Sequence, residues 1–315
     1  MRKGIISLGE ALIDFIPMTA ENVHYQKSPG GAPANVAVGA ARLGSKVTFL
    51  GKVGDDSLGR FLKETLTSYG VSTEGMIFSQ ETRTNIVMVT LSEDGERNFE
   101  FFINPSADQM LEQKELNGAL FEDHKILHFG SISMIQEPVK QATKYAVELA
   151  REKGMIVSFD PNLRSALWPS QEQAKETIVS MLDQVDVLKI SDEELEFITG
   201  ESDIEAGIEK MRDYQVPLML VTFGGDGSYV VKDGEFVQVP AMKVEAVDTT
   251  GAGDAYVSGI LHSLNEVDQS LEELTLEQVK QMAEFASVSG GLAASTKGAM
   301  TALPTSEQVK DYLSK

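Results

Sequence analysis

Short apolar runs alternate with longer amphipathic segments along most of the chain. The runs that predict buried strands are residues 5–8, 47–50, 126–129, 156–159, 187–190 and 218–222. The segments with helical periodicity are residues 34–43, 58–69, 138–152, 171–182, 204–214, 252–264 and 276–292. Two parallel strands need a crossover of about a dozen residues, which such helices supply. The pattern therefore predicts an α/β fold with a doubly wound, mostly parallel sheet flanked by helices, extended by a hairpin at residues 228–239.

Two stretches break this alternation. Residues 84–102 form two alternating runs joined around Asp94 and Gly95, a pair typical of hairpin turns, and residues 11–25 predict another short strand pair around Pro17. Neither stretch contains a crossover helix. The sequence thus predicts a small antiparallel β lid (residues 11–25 and 84–102) beside a main domain (residues 1–10, 26–83 and 103–315). A layer this small packs on the main domain, closes over a site or pairs with a second copy, so a homodimer through the lid is one expected arrangement.

The composition narrows the classes of partner. The 315 residues carry 27 basic and 48 acidic side chains, a net charge of −21, and a surface of that sign repels nucleic acids and anionic lipid head groups. The absence of cysteine excludes disulfides, zinc–thiolate sites and thiol nucleophiles. No apolar run reaches the roughly 18 residues that span a bilayer. We expect a cytoplasmic protein with neither a nucleic-acid nor a membrane partner, in which an anionic ligand would need local positive charge or backbone donors.

The segment DTTGAGDAYVSG at residues 248–259 carries the strongest candidate chemistry. It follows a β-like run, residues 243–247, and opens a predicted helix. Gly251 and Gly253 let the backbone turn tightly and present N–H groups at the helix N-terminus, which favours an anion such as a phosphoryl group. Asp254, in the first turn, could accept a proton from an alcohol that attacks that group. Taken alone, the same residues also fit a capped turn with an aspartate that complements the helix dipole.

A second glycine-containing turn precedes the helix predicted from residue 34. Gly30 and Gly31 permit a ligand to approach the backbone closely, and the amide of Asn35 could bond the hydroxyl groups of a ligand. By itself this is a common strand-to-helix turn, with Pro33 near the first helical position.

Together these two segments resemble the signature motifs of the ribokinase-like (PfkB-type) carbohydrate kinases. GGAPANVA at 30–37 and DTTGAGDAYVSG at 248–259 lie towards opposite ends of the chain, as they do in that family. The resemblance extends through LGEALIDF at 8–15, LGKVGDDSLGRFL at 50–62, DPNLR at 160–164, LVTFGGDGS at 220–228 and STKGAMTALP at 295–304. Within the family, LGEALIDFIP and DPNLRSALWP are most similar to the bacterial fructokinases. The resemblance implies an ATP-dependent sugar kinase, with fructose as the first candidate acceptor.

The resemblance also implies roles for individual residues. The catalytic set is the base Asp254, the anion-hole residues Gly251, Ala252 and Gly253, and Arg164, which would reach the substrate or the transferred phosphate. The sugar would be held by Asp14, Gly30, Gly31 and Asn35, together with Asp254. The nucleotide would contact Lys189, Ser191, Thr222, Gly224, Gly227 and Gly253. Ser191 stands where the family's Asn-x-x-Glu motif has asparagine, so the phosphate contact there would be weaker.

Two ions are implied in the same way. Glu194 matches the glutamate that orients Mg²⁺ through water, and the carboxylate is retained although Ser191 departs from the motif. Asp248 and Thr250, with the loop near Gly298, lie where the family often binds a monovalent cation such as K⁺. Most ligands of that cation would be backbone carbonyl groups, which a sequence does not reveal.

Other acceptors stay open at this point. Ribose and a 2-keto-3-deoxy sugar acid are alternatives, and Arg97 in the predicted lid could supply the cationic contact that a sugar acid requires. A nucleoside would need aromatic stacking, for which Phe15 is the local candidate. A sugar-sensing regulator that lacks the reaction is the alternative from another class, and the intact GAGD with Asp254 argues against it. A dinucleotide-binding oxidoreductase is disfavoured because no G-x-G-x-x-G follows the first strand.

Overall fold

The computed structural model of the chain describes residues 2–92 and 97–314, and within these ranges thirteen strands form two sheets. In chain order the strands are β1 (Ile5–Leu8), β2 (Leu12–Pro17), β3 (Tyr25–Gly30), β4 (Val47–Gly54), β5 (Ser72–Ser79), β6 (Ile86–Leu91), β7 (Arg97–Phe101), β8 (Ile126–Gly130), β9 (Ile156–Asp160), β10 (Val187–Ser191), β11 (Leu218–Thr222), β12 (Ser228–Lys232) and β13 (Glu235–Val239).

The α-helices lie between and after these strands. They are α1 (Ala32–Arg42), α2 (Ser57–Ser68), α3 (Leu120–Asp123), α4 (Val139–Glu152), α5 (Gln171–Val179), α6 (Asp192–Thr199), α7 (Ile204–Met211), α8 (Ala252–Glu266), α9 (Leu276–Ala294) and α10 (Ser306–Leu313). Within the described ranges, none of these helices combines the length and the apolar character that crossing a bilayer requires.

The large sheet has the strand order β13-β12-β11-β10-β9-β8-β1-β4-β5. Neighbouring strands from β11 to β5 are parallel, and the β12–β13 hairpin is added antiparallel at one edge. Helices cover both faces, which is why the central strands are apolar at consecutive positions. Ile5 and Ile6 of β1 point to opposite faces and belong to two different core clusters. The predicted doubly wound sheet, with its hairpin extension, is confirmed.

The small sheet has the order β3-β2-β6-β7 and is made of two hairpins side by side. Each hairpin is antiparallel, but β2 and β6 pair in parallel, so the sheet is not antiparallel throughout as expected. The reason is that residues 31–85 pass through the large sheet between the two hairpins and so supply a long crossover. The strand β3 also extends to residue 30, past the boundary expected at 25. The turn of the second hairpin, with Asp94 and Gly95, lies outside the described residues.

Some elements differ from the sequence prediction. The segment 243–247 contains no strand, because Val247 and Asp248 donate their N–H groups to the carbonyl oxygen of Ala294, at the end of α9. The edge strand β5 and the helices α6 and α10 were not among the predicted elements. The strand β5 has a glycine and several polar residues, as suits an edge with one face towards solvent, and these obscure its periodicity.

Candidate active site

The candidate site lies at the carboxyl ends of the parallel strands, the position at which open α/β sheets bind ligands. The strand β9 ends at Asp160, β10 ends at Ser191 and β11 ends at Thr222. The first turn of α8 meets the loop that follows β9, because Asn162 of that loop bonds to Asp254 of the helix. Backbone, carboxylate and cationic groups from separate parts of the chain therefore converge there.

Asp254 is buried and receives hydrogen bonds from two asparagines. Asn35 of α1 donates its Nδ2–H to Oδ2 over 2.8 Å, and Asn162 donates to Oδ1 over 3.3 Å. Burial is the main cause of a pKa raised to about 6, against which the Asn35 hydrogen bond and the charges of Arg164 and Lys189 act. A carboxylate with this pKa is ionised at neutral pH and is still basic enough to take a proton in a reaction.

Asn35 holds a second polar atom beside Asp254. Its Oδ1 is buried and has no hydrogen-bond partner among the described residues. A buried acceptor without a donor is unfavourable, so it is available to a ligand hydroxyl group. The helix α1 that carries Asn35 begins after Gly31, whose φ of 103° favours glycine, and a side chain at Gly31 would collide with the carbonyl oxygen of Glu10.

The start of α8 presents backbone donors to the site. Gly251 precedes the helix with a φ of 78°, a left-handed conformation that glycine adopts without strain. Ala252 donates its N–H to the carbonyl oxygen of Thr249 over 3.1 Å, which closes the turn. The role of Ala252 as an anion-hole donor, which the resemblance implies, stays a prediction. Gly251 and Gly253 carry the N–H groups that can face an anion at this helix end, where the dipole adds to their effect.

A buried lysine lies close to this helix start. The Nζ of Lys189 is 3.8 Å from the position that a Cβ on Gly253 would occupy, and it forms an ion pair with Asp160 Oδ2 at 3.2 Å. Burial opposes the charge, but the carboxylates of Asp160, Glu194 and Asp254 raise the pKa of Lys189 above its ordinary value. The site therefore contains a fixed ammonium group, of the kind that an acidic protein needs in order to hold a phosphate.

Asp14 and Arg164 contribute a second charged pair. Burial raises the pKa of Asp14, on β2, to about 6, and the charge of Arg164 lowers it. The Arg164 charge also lowers the pKa of Asp254, so the exposed guanidinium is within electrostatic reach of both carboxylates. Gly30 leaves room for the carboxylate of Asp14, because a Cβ at Gly30 would collide with Asp14 Oδ2.

Ser191 and Glu194 form the capping box of α6. The Ser191 Oγ accepts the Glu194 N–H over 3.1 Å, and Glu194 Oε2 accepts the Ser191 N–H over 2.8 Å. The other carboxylate oxygen of Glu194 accepts the N–H of Leu163 over 2.7 Å, which fixes the loop after β9 to this helix. The Ser191 Oγ thus accepts within the protein, but its O–H can still donate to a ligand, and the buried Glu194 carboxylate keeps lone pairs beside Lys189.

Two cavities lie in this part of the structure. The larger, of about 530 Å³, includes the predicted nucleotide-binding residues Thr222, Gly224, Gly227 and Gly253, together with residues 241–244 and 246 and the α9 residues Ser287, Gly290 and Gly291. The smaller, of about 380 Å³, lies between the two sheets and includes Glu10, Asn85, Asp108 and the β7 residues Phe99, Glu100 and Phe101. The charge of Asp254 contributes to the raised pKa of Glu10, which lines the smaller cavity, and its neighbour Gly253 lines the larger one. The predicted sugar-binding residues Asp14, Gly30, Gly31, Asn35 and Asp254 are not among those that line the smaller cavity.

The loop before α8 is tied to the loop after α9. Asp248 accepts the Thr250 N–H on Oδ1 over 3.1 Å and the Gly298 N–H on Oδ2 over 3.2 Å. The residues implied for a monovalent cation therefore lie together. Within residues 2–92 and 97–314, no group of three or more His, Cys, Asp or Glu side chains is placed to hold a metal ion. An ion in this region would need oxygen ligands from the backbone, from water or from a bound phosphate.

The structure also places residues that the sequence did not single out. Asn162 bonds to Asp254 and has a φ of 45°, and its only signal was its place in the DPNLR segment. Glu10 and Asp108 are buried in the smaller cavity, and no local pattern marked them. Arg97 begins β7, but its side chain lies outside the part of the chain that the structure describes.

Comparison with known proteins gives one consistent result. The model of the pfkB family carbohydrate kinases matches residues 2–306. The chain is 44% identical over 312 residues to fructokinase-1 of Oryza sativa subsp. japonica, covering 97% of this chain and 96% of that protein.

Solved structures agree with this result. A fructokinase of Xylella fastidiosa with bound ATP superposes with a TM-score of 0.94 at 33% identity, covering 100% of this chain and 99% of its own. A double mutant of the fructokinase of Vibrio cholerae O395, solved with fructose, ADP and a potassium ion, gives a TM-score of 0.90 at 38% identity and 99% coverage of both chains.

The raised pKa of Asp254 predicts that Asp254→Asn gains stability relative to the wild type as the pH rises. Because the folded-state pKa lies above the unfolded value, the wild type loses stability as the pH rises from about 4 to about 6, and the variant lacks this loss. The gain at neutral pH is at most about 3 kcal/mol. Urea unfolding should show a difference between the two proteins that grows with pH. Asp192→Asn, which changes an exposed first-turn aspartate of α6, is the control for the loss of an exposed carboxylate.

Proposed function

Because this chain belongs to the pfkB family of carbohydrate kinases, we propose that it transfers the γ-phosphoryl group of ATP to a hydroxyl group of fructose. The observation that carries the proposal is the buried carboxylate of Asp254, held by Asn35 at a helix start that presents backbone donors. The relatives indicate the substrates, since the Xylella fastidiosa fructokinase was solved with ATP and the Vibrio cholerae double mutant with fructose and ADP.

ATP occupies the larger cavity and the sugar occupies the smaller one. Asp254 takes the proton of the reacting hydroxyl group as its oxygen attacks the γ-phosphorus. The bond between that phosphorus and the bridging oxygen breaks, and ADP leaves with the bond electrons. The N–H groups of Gly251 and Gly253, with the ammonium of Lys189, stabilise the charge on the transferred group. Arg164 approaches from the sugar side, where it also balances Asp14.

The residues present fit a hydrated Mg²⁺ that is held mainly by the nucleotide. Mg²⁺ usually keeps several waters and takes one or two carboxylates plus phosphate oxygens. Glu194 is buried beside the Asp160–Lys189 ion pair and is available for a contact through water. When bound with ATP, the ion neutralises part of the phosphate charge. Glu194 itself fixes the loop that carries Asn162 and so helps to orient Asp254.

The small sheet acts as a lid on the sugar. Its strand β7 lines the smaller cavity opposite the main domain, and Ile13 of β2 donates its N–H to the carbonyl oxygen of Asn85, next to that cavity. A kinase must exclude water from the γ-phosphate, since otherwise it hydrolyses ATP. We assign the division into lid and main domain on this basis.

A kinase that uses ATP works where ATP is supplied, and we place this one in the cytoplasm.

Asp254→Asn is expected to lose about 10²–10⁴-fold in kcat with fructose, because the base is removed. ATP affinity, measured with a fluorescent analogue, should stay within about twofold because residue 254 is not among those lining the larger cavity. Asp192→Asn should keep full activity. In the wild type, kcat/KM should fall about tenfold per pH unit below pH 6 and level off above it. Wild-type turnover in Asp254→Asn would exclude this residue as the base.

A potassium ion beside the start of α8 is the next part of the proposal. The double mutant of the Vibrio cholerae fructokinase was solved with a potassium ion, and Asp248 ties together the two loops that would surround the ion here. Exchanging K⁺ for tetramethylammonium at constant ionic strength should lower kcat several-fold in the wild type. Asp248→Asn should respond less to the exchange than the exposed control Asp311→Asn. Equal rates in the two cations would rule out the requirement.

We also propose that two copies associate through their lids. The small sheet and the segments beside it expose Met18, Val23, Phe99 and Phe102, each by more than half of its surface, and these exposed apolar side chains favour an interaction surface on the lid. Sedimentation equilibrium should give a dimer for the wild type and a weaker dimer for Met18→Ser/Val23→Ser. Leu313→Ser, which removes an exposed apolar side chain from α10, should leave the mass unchanged. A monomeric wild type would refute the proposal.

A further inference from the structure

The smaller cavity contains three buried polar side chains that the proposed reaction does not use. Glu10 and Asn85 are each 4% exposed and Asp108 is 7% exposed. They come from separate parts of the chain, since Glu10 follows β1, Asn85 precedes β6 and Asp108 lies in the short 3₁₀ helix Ala107–Met110. The fold has therefore brought three polar groups to one cavity wall from distant positions.

Two of these side chains have an acceptor without a donor. Within the part of the chain that the structure describes, Asn85 Oδ1 and Asp108 Oδ1 are buried and have no hydrogen-bond partner. Glu10 is partly satisfied, since its Oε1 accepts the N–H of Ala32 over 3.1 Å. Buried acceptors in native proteins are almost always paired with a donor from protein, water or ligand. A ligand that fills this cavity with donating groups would complete them.

The cavity also favours neutral ligands. Its ionisable lining residues, among those that the structure describes, are Glu10, Glu100 and Asp108, all acidic. Burial raises the pKa of Glu10 to about 8, so Glu10 is mostly protonated at neutral pH. Burial raises the pKa of Asp108 to about 6, so Asp108 is mostly ionised there, and its charge contributes to the shift of Glu10. A negatively charged ligand in this cavity would make ionisation of these carboxyl groups still less favourable. A phosphate or carboxylate on the ligand would be repelled and would offer no hydrogen to the free acceptors.

We propose that Asn85, Asp108 and Glu10 determine the choice of acceptor, by receiving the non-reacting hydroxyl groups of an uncharged sugar and rejecting sugars that carry a phosphate or carboxylate. This rests on the proposed kinase function, and it names the substrate class of the same site. Hydroxyl groups donate to the acceptor oxygens of Asn85 and Asp108, whereas the acidic wall opposes an anionic sugar.

Two variants separate the acceptor effect from the charge effect. Asn85→Leu removes an acceptor at nearly constant volume and adds or removes no ionisable group, although it also removes the side-chain hydrogen bond from Asn85 that lowers the pKa of Asp108. Asp108→Asn removes the negative charge. Asp186→Asn is the control, because Asp186 is a largely buried carboxylate with a raised pKa that does not line this cavity. ADP release is measured with fructose and with 2-keto-3-deoxygluconate, a sugar acid, and calorimetry measures the binding of each sugar in the presence of ADP.

Asn85→Leu should raise KM for fructose at least tenfold, change kcat less than threefold and leave the preference over the sugar acid as it was. Asp108→Asn should raise KM for fructose and reduce that preference at least tenfold. Asp186→Asn should match the wild type in KM for fructose and in the preference for fructose over the sugar acid. At pH 8, Asp108→Asn should unfold at a urea concentration no lower than that of the wild type, because the variant removes a buried charge. If one of the two variants fails to fold, the other one tests the proposal.

The outcomes distinguish this inference from the proposed function. If the wild type uses another neutral sugar instead of fructose, only the fructose assignment fails, and the variants are assayed on that sugar. Turnover or binding of the sugar acid in preference to every neutral sugar would overturn the inference, and so would the absence of any sugar binding. Unchanged KM and unchanged preference in both folded variants would overturn it while leaving the kinase function intact.

Discussion

The site depends on one buried carboxylate that the close packing of two helices keeps in place. Asp254 of α8 can be bonded by Asn35 only because α1 and α8 approach closely, which the missing side chain of Gly39 permits opposite Ser258. Ser258 joins the two helices again, as its Oγ lies within hydrogen-bond distance of the carbonyl oxygens of Val36 and Asp254. The same burial that makes Asp254 costly to ionise makes it basic enough to accept a proton.

Local positive charge at the site offsets the repulsion between the acidic chain and a nucleotide. A chain with a net charge of −21 repels a nucleotide, yet the site holds the ammonium of Lys189 in a buried ion pair with Asp160 and the guanidinium of Arg164 at its rim. Backbone N–H groups at the start of α8 add donors without adding a side-chain charge. The acidic groups of the smaller cavity lie on the sugar side, where an uncharged acceptor tolerates them.

Much of this arrangement could be predicted from the sequence, because the periodicity marks the buried strands and the glycine motifs mark the helix starts. The parallel pairing of β2 and β6 could not, since it depends on how two distant hairpins meet. The roles of Asn162, Glu10 and Asp108 likewise arise from tertiary contacts. The resemblance implies ligand contacts for the N–H of Ala252 and the hydroxyl group of Ser191. These contacts stay predictions, since in the structure Ala252 donates to Thr249 and Ser191 accepts from Glu194.

The most direct test of the central claim is the pKa of Asp254 itself, measured by ¹³C NMR of the carboxyl carbon and assigned by comparison with Asp254→Asn. A buried base held by Asn35 should titrate near pH 6, and it should titrate higher in Asn35→Leu, where the hydrogen bond that lowers the pKa is lost. A titration near pH 4 that Asn35→Leu does not change would show an ordinary solvated aspartate and contradict the account.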